Sequence, residues 1–112
     1  HYSDLQLMEQ ELRALRDAQG QPYRLVALPW PQAKTNADGQ RLPATYANFL
    51  IINGAVLVPT YRDAADAVAV ARLRECFPDR TIIPIDCLPL IHQFGSLHCI
   101  SMQLPSGVLP PL

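Results

Sequence analysis

All three cysteines, Cys76, Cys87 and Cys99, and two of the three histidines, His92 and His98, fall in the last third of this 112-residue chain. The densest stretch runs from Gly95-Ser96 through Leu97-His98-Cys99 into Ile100-Ser101-Met102-Gln103-Leu104-Pro105. A cysteine leaving a Gly-Ser loop can stand at the mouth of a cleft with backbone N–H groups around it. That setting suits a nucleophile, because the reactive form is the thiolate, which needs local positive potential to form below its ordinary pKa of about 8.5. The same cysteine also fits a small packed hydrophobe, and the local residues leave both readings open. Zinc fits poorly. Cys87, His92, His98 and Cys99 lack paired-ligand spacing, and neighbours on a strand point to opposite faces.

The elements that must position this stretch can be read from periodicity. Residues 3–18 read as a helix, with Ser3 as N-cap, Gln6 at the capping-box position, Gly20 as the stop, and a stripe of Leu5, Met8, Leu12 and Leu15 that should pack. Residues 23–28 read as a buried strand ending at Pro29. Residues 29–45 form a long loop holding Pro29, Pro31, Pro43 and an Asp38-Gly39 turn signal. A loop of this length suggests a lid, a binding loop or a disordered tip. Its Trp30, the single tryptophan, reads as an apolar anchor for the loop, or else as a wall of the substrate cleft.

Residues 47–52 and 55–59 read as a central hairpin around Asn53-Gly54, a dipeptide suited to a type I′ turn with positive φ at both central residues. Residues 63–77 read as an alanine-rich helix capped by Asp63 and stopped by Pro78. Residues 81–85 form a strand, with Pro84 demanding an edge or bulge. A helical turn is expected within 88–92, a short strand over 100–104, and a loosely held tail over 106–112.

Size and composition allow a single domain with a modest core. Apolar residues make up 49% and charged residues 17%, with a net charge of −1. No basic run or aromatic-interleaved stripe points to nucleic acid, and no apolar stretch is long enough to span a membrane. An odd cysteine count without a compact framework favours free thiols in a reducing compartment, and a cytoplasmic location is expected. The chain starts at His1 without a methionine, which suggests missing upstream sequence.

Leu97-His98-Cys99-Ile100-Ser101-Met102-Gln103 followed by Pro105 resembles the C-terminal motif of the agmatine deiminase family, which includes the Porphyromonas-type peptidylarginine deiminases. Two further blocks match in order: Tyr46-Ala47-Asn48-Phe49 through Asn53-Gly54 to Pro59, and Phe77-Pro78-Asp79-Arg80 followed by Ile85-Asp86. The resemblance covers nearly all of this chain but only the last third of a family member. It implies an α/β fold, part of a five-bladed α/β propeller (pentein). About one and a half ββαβ units are expected, with a mixed sheet and two helices, as a C-terminal piece of the catalytic domain.

The resemblance further implies a hydrolase of linear amidines, with Cys99 as nucleophile, no metal and no cofactor. The substrate would be a small guanidine, agmatine, going to N-carbamoylputrescine and ammonia in putrescine biosynthesis. Gly95 and Ser96 would line the substrate site, with Asn48 orienting the cleft. The base histidine and the carboxylates would lie upstream, so the 112 residues alone should be inactive, and His92 reads as a surface residue. Relatives carry several glycines before His-Cys where this chain has Gln93-Phe94-Gly95-Ser96, which leaves the substrate fit open. Peptidyl-arginine is the alternative substrate. A reading of another class is a non-catalytic binding or assembly module, whose exposed edges would pair with the missing part or with a second copy.

Overall fold

In a computed structural model, residues 2–109 are described. They form helix α1 (Tyr2–Ala14), strands β1 (Leu50–Ile52) and β2 (Ala55–Thr60), helix α2 (Asp66–Cys76) and strand β3 (Thr81–Asp86), followed by 3-10 turns at Leu90–Gln93 and His98–Ile100. The sheet is mixed, ordered β1-β2-β3. β1 pairs antiparallel with β2 in the register Leu50 to Leu57, and β2 pairs parallel with β3 from Ala55–Thr81 to Thr60–Asp86. This is one complete ββαβ unit with α1 ahead of it, the α/β architecture expected of part of the propeller.

The alternation of β2 builds the core. Val56 and Val58 are buried with Leu73 of α2, flanked by Phe49 and Phe77, whose rings meet edge-on at 5.9 Å. Ala69, one turn before Leu73, is buried in a second cluster with Leu42, Tyr46, Tyr61, Cys87, Ile91 and Leu97. A methyl group at that position lets the helix lie close to its neighbours.

Several expectations are corrected. α1 ends at Ala14 because the Asp17 carboxylate accepts the N–H groups of Gln19 and Gln21 at 2.9 and 2.8 Å, forming a turn that competes with another helical turn. Its stripe does not pack: no α1 residue is buried. Residues 23–28 are not a strand, because no ladder partner reaches them; the Arg72 guanidinium on α2 instead donates to the Ala27 carbonyl. The hairpin is not central as a whole, since β1 is an edge. In its turn Gly54 has φ 76° while Asn53 stays outside the positive range, so the turn is not type I′. The turn's carbonyls serve the neighbouring strand: Arg80 donates to Ile52 and the Thr81 N–H to Gly54.

The long loop is ordered. Asn36 Oδ1 accepts the Asp38 and Gln40 N–H groups, Gly39 takes φ 77°, and Thr35 bridges Arg41. Leu42, not Trp30, is the anchor: Leu42 is buried while Trp30 is 66% exposed. Asp63 does not cap α2 directly. Its carboxylate accepts the Ala65 N–H, the Gln32 N–H and the Lys34 ammonium, tying the loop to the approach of the helix. β3 is an edge, as Pro84 requires. Residues 100–104 form no strand; the Ser101 N–H and hydroxyl both bond the His98 carbonyl and close a 3-10 turn instead. Of the expected tail, residues 106–109 are exposed and 110–112 lie outside the described residues.

Candidate functional site

Asn48 precedes β1, Tyr61 follows β2 and Cys87 follows β3. Because β1 runs antiparallel to β2 and β3 runs parallel, all three positions share one end of the sheet. The segment 94–99 folds over that end. A turn at residues 45–48 sets Asn48, with the Asn48 N–H bonding the Thr45 carbonyl at 3.2 Å and the Ala47 N–H bonding Thr45 Oγ1 at 3.3 Å.

Cys99 is exposed, whereas Cys87 is buried and Cys76 lies between. The Asn48 side chain grips the cysteine turn with both ends. Its Oδ1 accepts the backbone N–H of His98 at 2.6 Å and of Cys99 at 3.4 Å, while its Nδ2 donates to Cys99 Sγ at 3.2 Å. The Ser96 backbone N–H and then the Asn48 amide hold the Cys99 thiol below its ordinary pKa. Hydrogen bonds that favour the charged form shift a thiol in this direction. Cys87 goes the other way, pushed up first by burial. The two thiols therefore differ in kind, one exposed and acidic, the other enclosed and inert.

The other candidate residues gather here. A Cβ on Gly95 would stand 3.0 Å from Cys99 Cβ and 2.8 Å from the flexible Gln93 Nε2, so a larger residue here would have to displace the Gln93 amide and crowd the cysteine. Ser96 is fully buried, and its hydroxyl bonds Tyr61 Oη at 2.7 Å. What Ser96 offers the site is therefore its backbone N–H and not its side chain. Phe94 occupies the left-handed region at φ 63°, a strained position for a bulky residue, with its ring 57% exposed.

Phe94 and Trp30 line an open, largely apolar cavity of about 720 Å³ with Leu5, Leu42, Pro43 and Thr45. Trp30 stands on the wall of this cavity, whose lining does not include Cys99, Asn48, Gly95 or Ser96. His92 and His98 are exposed. The strand argument against a metal no longer applies, since His98 and Cys99 share a 3-10 turn; among the described residues no three His, Cys, Asp or Glu side chains group so as to hold an ion.

Sequence reasoning missed Tyr61 and Thr45. Tyr61 is fully buried, its hydroxyl bonded to the Thr45 carbonyl at 2.9 Å and its N–H to Asp66 Oδ1 at 3.0 Å. Asp66 Oδ1 also accepts the Tyr46 hydroxyl at 2.7 Å. The available signal was a tyrosine closing the apolar run of β2.

A profile of the Porphyromonas-type peptidyl-arginine deiminases matches residues 1–105. The chain is 33% identical over 114 residues to a Vibrio parahaemolyticus protein provisionally named an agmatine deiminase, covering 88% of this chain and 32% of that protein. A solved Porphyromonas gingivalis structure, provisionally named an arginine deiminase, is 63% identical with a TM-score of 0.88 over 96% of this chain and 31% of that one. The agmatine deiminase of C. jejuni, solved as a cysteine-to-serine variant with substrate bound, is 39% identical with a TM-score of 0.71 over 84% of this chain and 26% of its own. The chain spans about a third of the length of these relatives.

Proposed function

Since this chain belongs to the Porphyromonas-type peptidyl-arginine deiminase family, we propose that it is the cysteine-bearing part of a guanidine-hydrolysing deiminase acting on agmatine. The observation that carries the reading is Cys99: exposed, and held below its ordinary pKa by N–H donors, the Ser96 backbone first and then the Asn48 amide. The thiolate attacks the central guanidinium carbon. The tetrahedral adduct expels ammonia, leaving a thiouronium on sulfur. Water then attacks that carbon and releases the thiolate, so guanidinium plus water gives a ureido group plus ammonium. A substrate cation near Sγ further favours the thiolate by direct charge attraction.

Both partners of Sγ are N–H donors, and neither is a base. On the family's pattern the proton transfers of this scheme and the binding of the cation fall to a histidine and carboxylates upstream of these residues, and the piece alone is expected to be inactive. Gly95 and the backbone of Ser96 bound the reacting end of the substrate, and Asn48 orients the cysteine turn. The test compares ureido product from agmatine with and without the upstream region, each against Cys99→Ala. Product that requires the upstream region and vanishes in Cys99→Ala is expected. Product surviving in Cys99→Ala refutes the reading.

Peptidyl-arginine is a second reading, favoured by the open apolar cavity beside Phe94, which could take residues flanking an arginine. A blocked arginine peptide turned over faster than agmatine would select it. The exposed apolar residues Leu5, Met8 and Leu12 on α1 and Ile51 and Ile52 on the β1 edge support an assembly role for these surfaces. A clean monomer of the isolated chain by sedimentation would count against that role.

A further inference from the structure

We propose that Tyr61 is a positioning residue for the Cys99 thiol, acting through Ser96; this rests on the reading of Cys99 as the nucleophile. The direction of the hydrogen bonds follows from counting protons. Tyr61 Oη lies 2.9 Å from the Thr45 carbonyl and 2.7 Å from Ser96 Oγ. A carbonyl only accepts, so the single phenolic proton goes to Thr45. Ser96 must then donate its own proton to Tyr61.

The result is a one-way relay of donors, Ser96 to Tyr61 to Thr45. It fixes the side chain of Ser96, a residue with no exposed surface. The backbone N–H that bonds Cys99 Sγ belongs to that same residue. Gly95 on one side packs close to Cys99, where an added Cβ would stand 3.0 Å from Cys99 Cβ. Tyr61 itself is immobilised at its backbone N–H by Asp66 Oδ1. The first turn of α2 thus holds Tyr61, Tyr61 holds Ser96, and Ser96 aims its N–H at the sulfur. Tyr61 never touches that sulfur.

The test is the pH dependence of Cys99 alkylation by iodoacetamide in the full 112-residue chain, read by peptide mass so that Cys76 serves as reference. Tyr61→Phe and Ser96→Ala should each slow Cys99 at neutral pH by about fivefold, the factor carried by roughly one hydrogen bond. Each should also move the midpoint of the profile upward while leaving Cys76 unchanged. The double variant should do no more than either single one, since both break the same connection. Ser96→Ala keeps the bond from Tyr61 to Thr45 and decides the matter even if Tyr61→Phe fails to fold. A Cys99 profile unmoved in Ser96→Ala overturns the proposal, whatever happens to thermal stability. Alkylation needs no substrate, so failure of ureido product formation would refute the deiminase reading without touching this result.

Discussion

Replacing Asn48 by aspartate isolates the charge at Cys99. The retained Oδ1 still accepts the His98 and Cys99 N–H groups at 2.6 and 3.4 Å, so the turn keeps its anchor. The new oxygen takes the place of Nδ2, 3.2 Å from Sγ, converting a donor into a negative charge. Two unit charges at that separation repel by about 1.3 kcal/mol in a water-like medium, the appropriate limit for an exposed sulfur. The lost hydrogen bond adds about 1 kcal/mol. Together they reduce the thiolate population by roughly fiftyfold at a pH where the thiol is mostly protonated. Salt relieves little of this, because the separation is well inside the Debye length of about 10 Å at 0.1 M. The assay is alkylation of Cys99 from pH 5 to 9, with Cys76 as reference. Asn48→Asp should shift the Cys99 curve to higher pH and leave the Cys76 curve in place. An Asn48→Asp chain as reactive at pH 7 as the parent would show that the amide does not control the thiol.

Stability should fall in acid. Asp63, bonded first to Lys34, and Asp86, bonded first to Arg62, both have carboxyls held below their ordinary value in the folded chain. The unfolded state therefore takes up protons first: the stabilisation is complete above the usual carboxylate value of about 3.9 and is lost as pH falls through the lower folded values. Urea midpoints from pH 7 to 2 should trace this loss, with a flatter acid limb in Asp63→Asn. Ile91, fully buried, should lose about 2–5 kcal/mol on Ile91→Ala, read as a lower urea midpoint. Phe94→Gly should stabilise the fold by about 1 kcal/mol, read as a higher urea midpoint, because it removes a bulky residue from the left-handed region; a lower midpoint would show that the ring packs more than its exposure suggests.

The ββαβ unit was legible because its signals are local: an Asn-Gly turn between apolar runs, an alanine-rich helix, and a Pro-bearing edge. Residues 23–28 and 100–104 misled for a shared reason. Strand propensity describes a surface ready to pair, but a strand exists only with a partner, and neither segment has a ladder partner among the described residues. Helix α1 was overextended because the turn made by Asp17 depends on one side chain capturing two N–H groups. Cys99 and Asn48 were singled out through family resemblance, and the structure brings their side chains together. Tyr61 and Ser96 were not paired in advance, because nothing local announces a hydrogen bond between residues 35 apart.

The grip of Asn48 on Cys99 joins residues 51 apart, with the whole ββαβ unit in between. A contact of such separation exists only once the intervening chain has condensed enough to bring its two ends together. During synthesis and early folding the cysteine therefore keeps the low reactivity of an ordinary thiol, and it gains its acidity when the sheet end closes. Its labelling rate is thus a clock for completion of the fold, and the growing chain is spared the alkylation and oxidation that an acidic thiol invites.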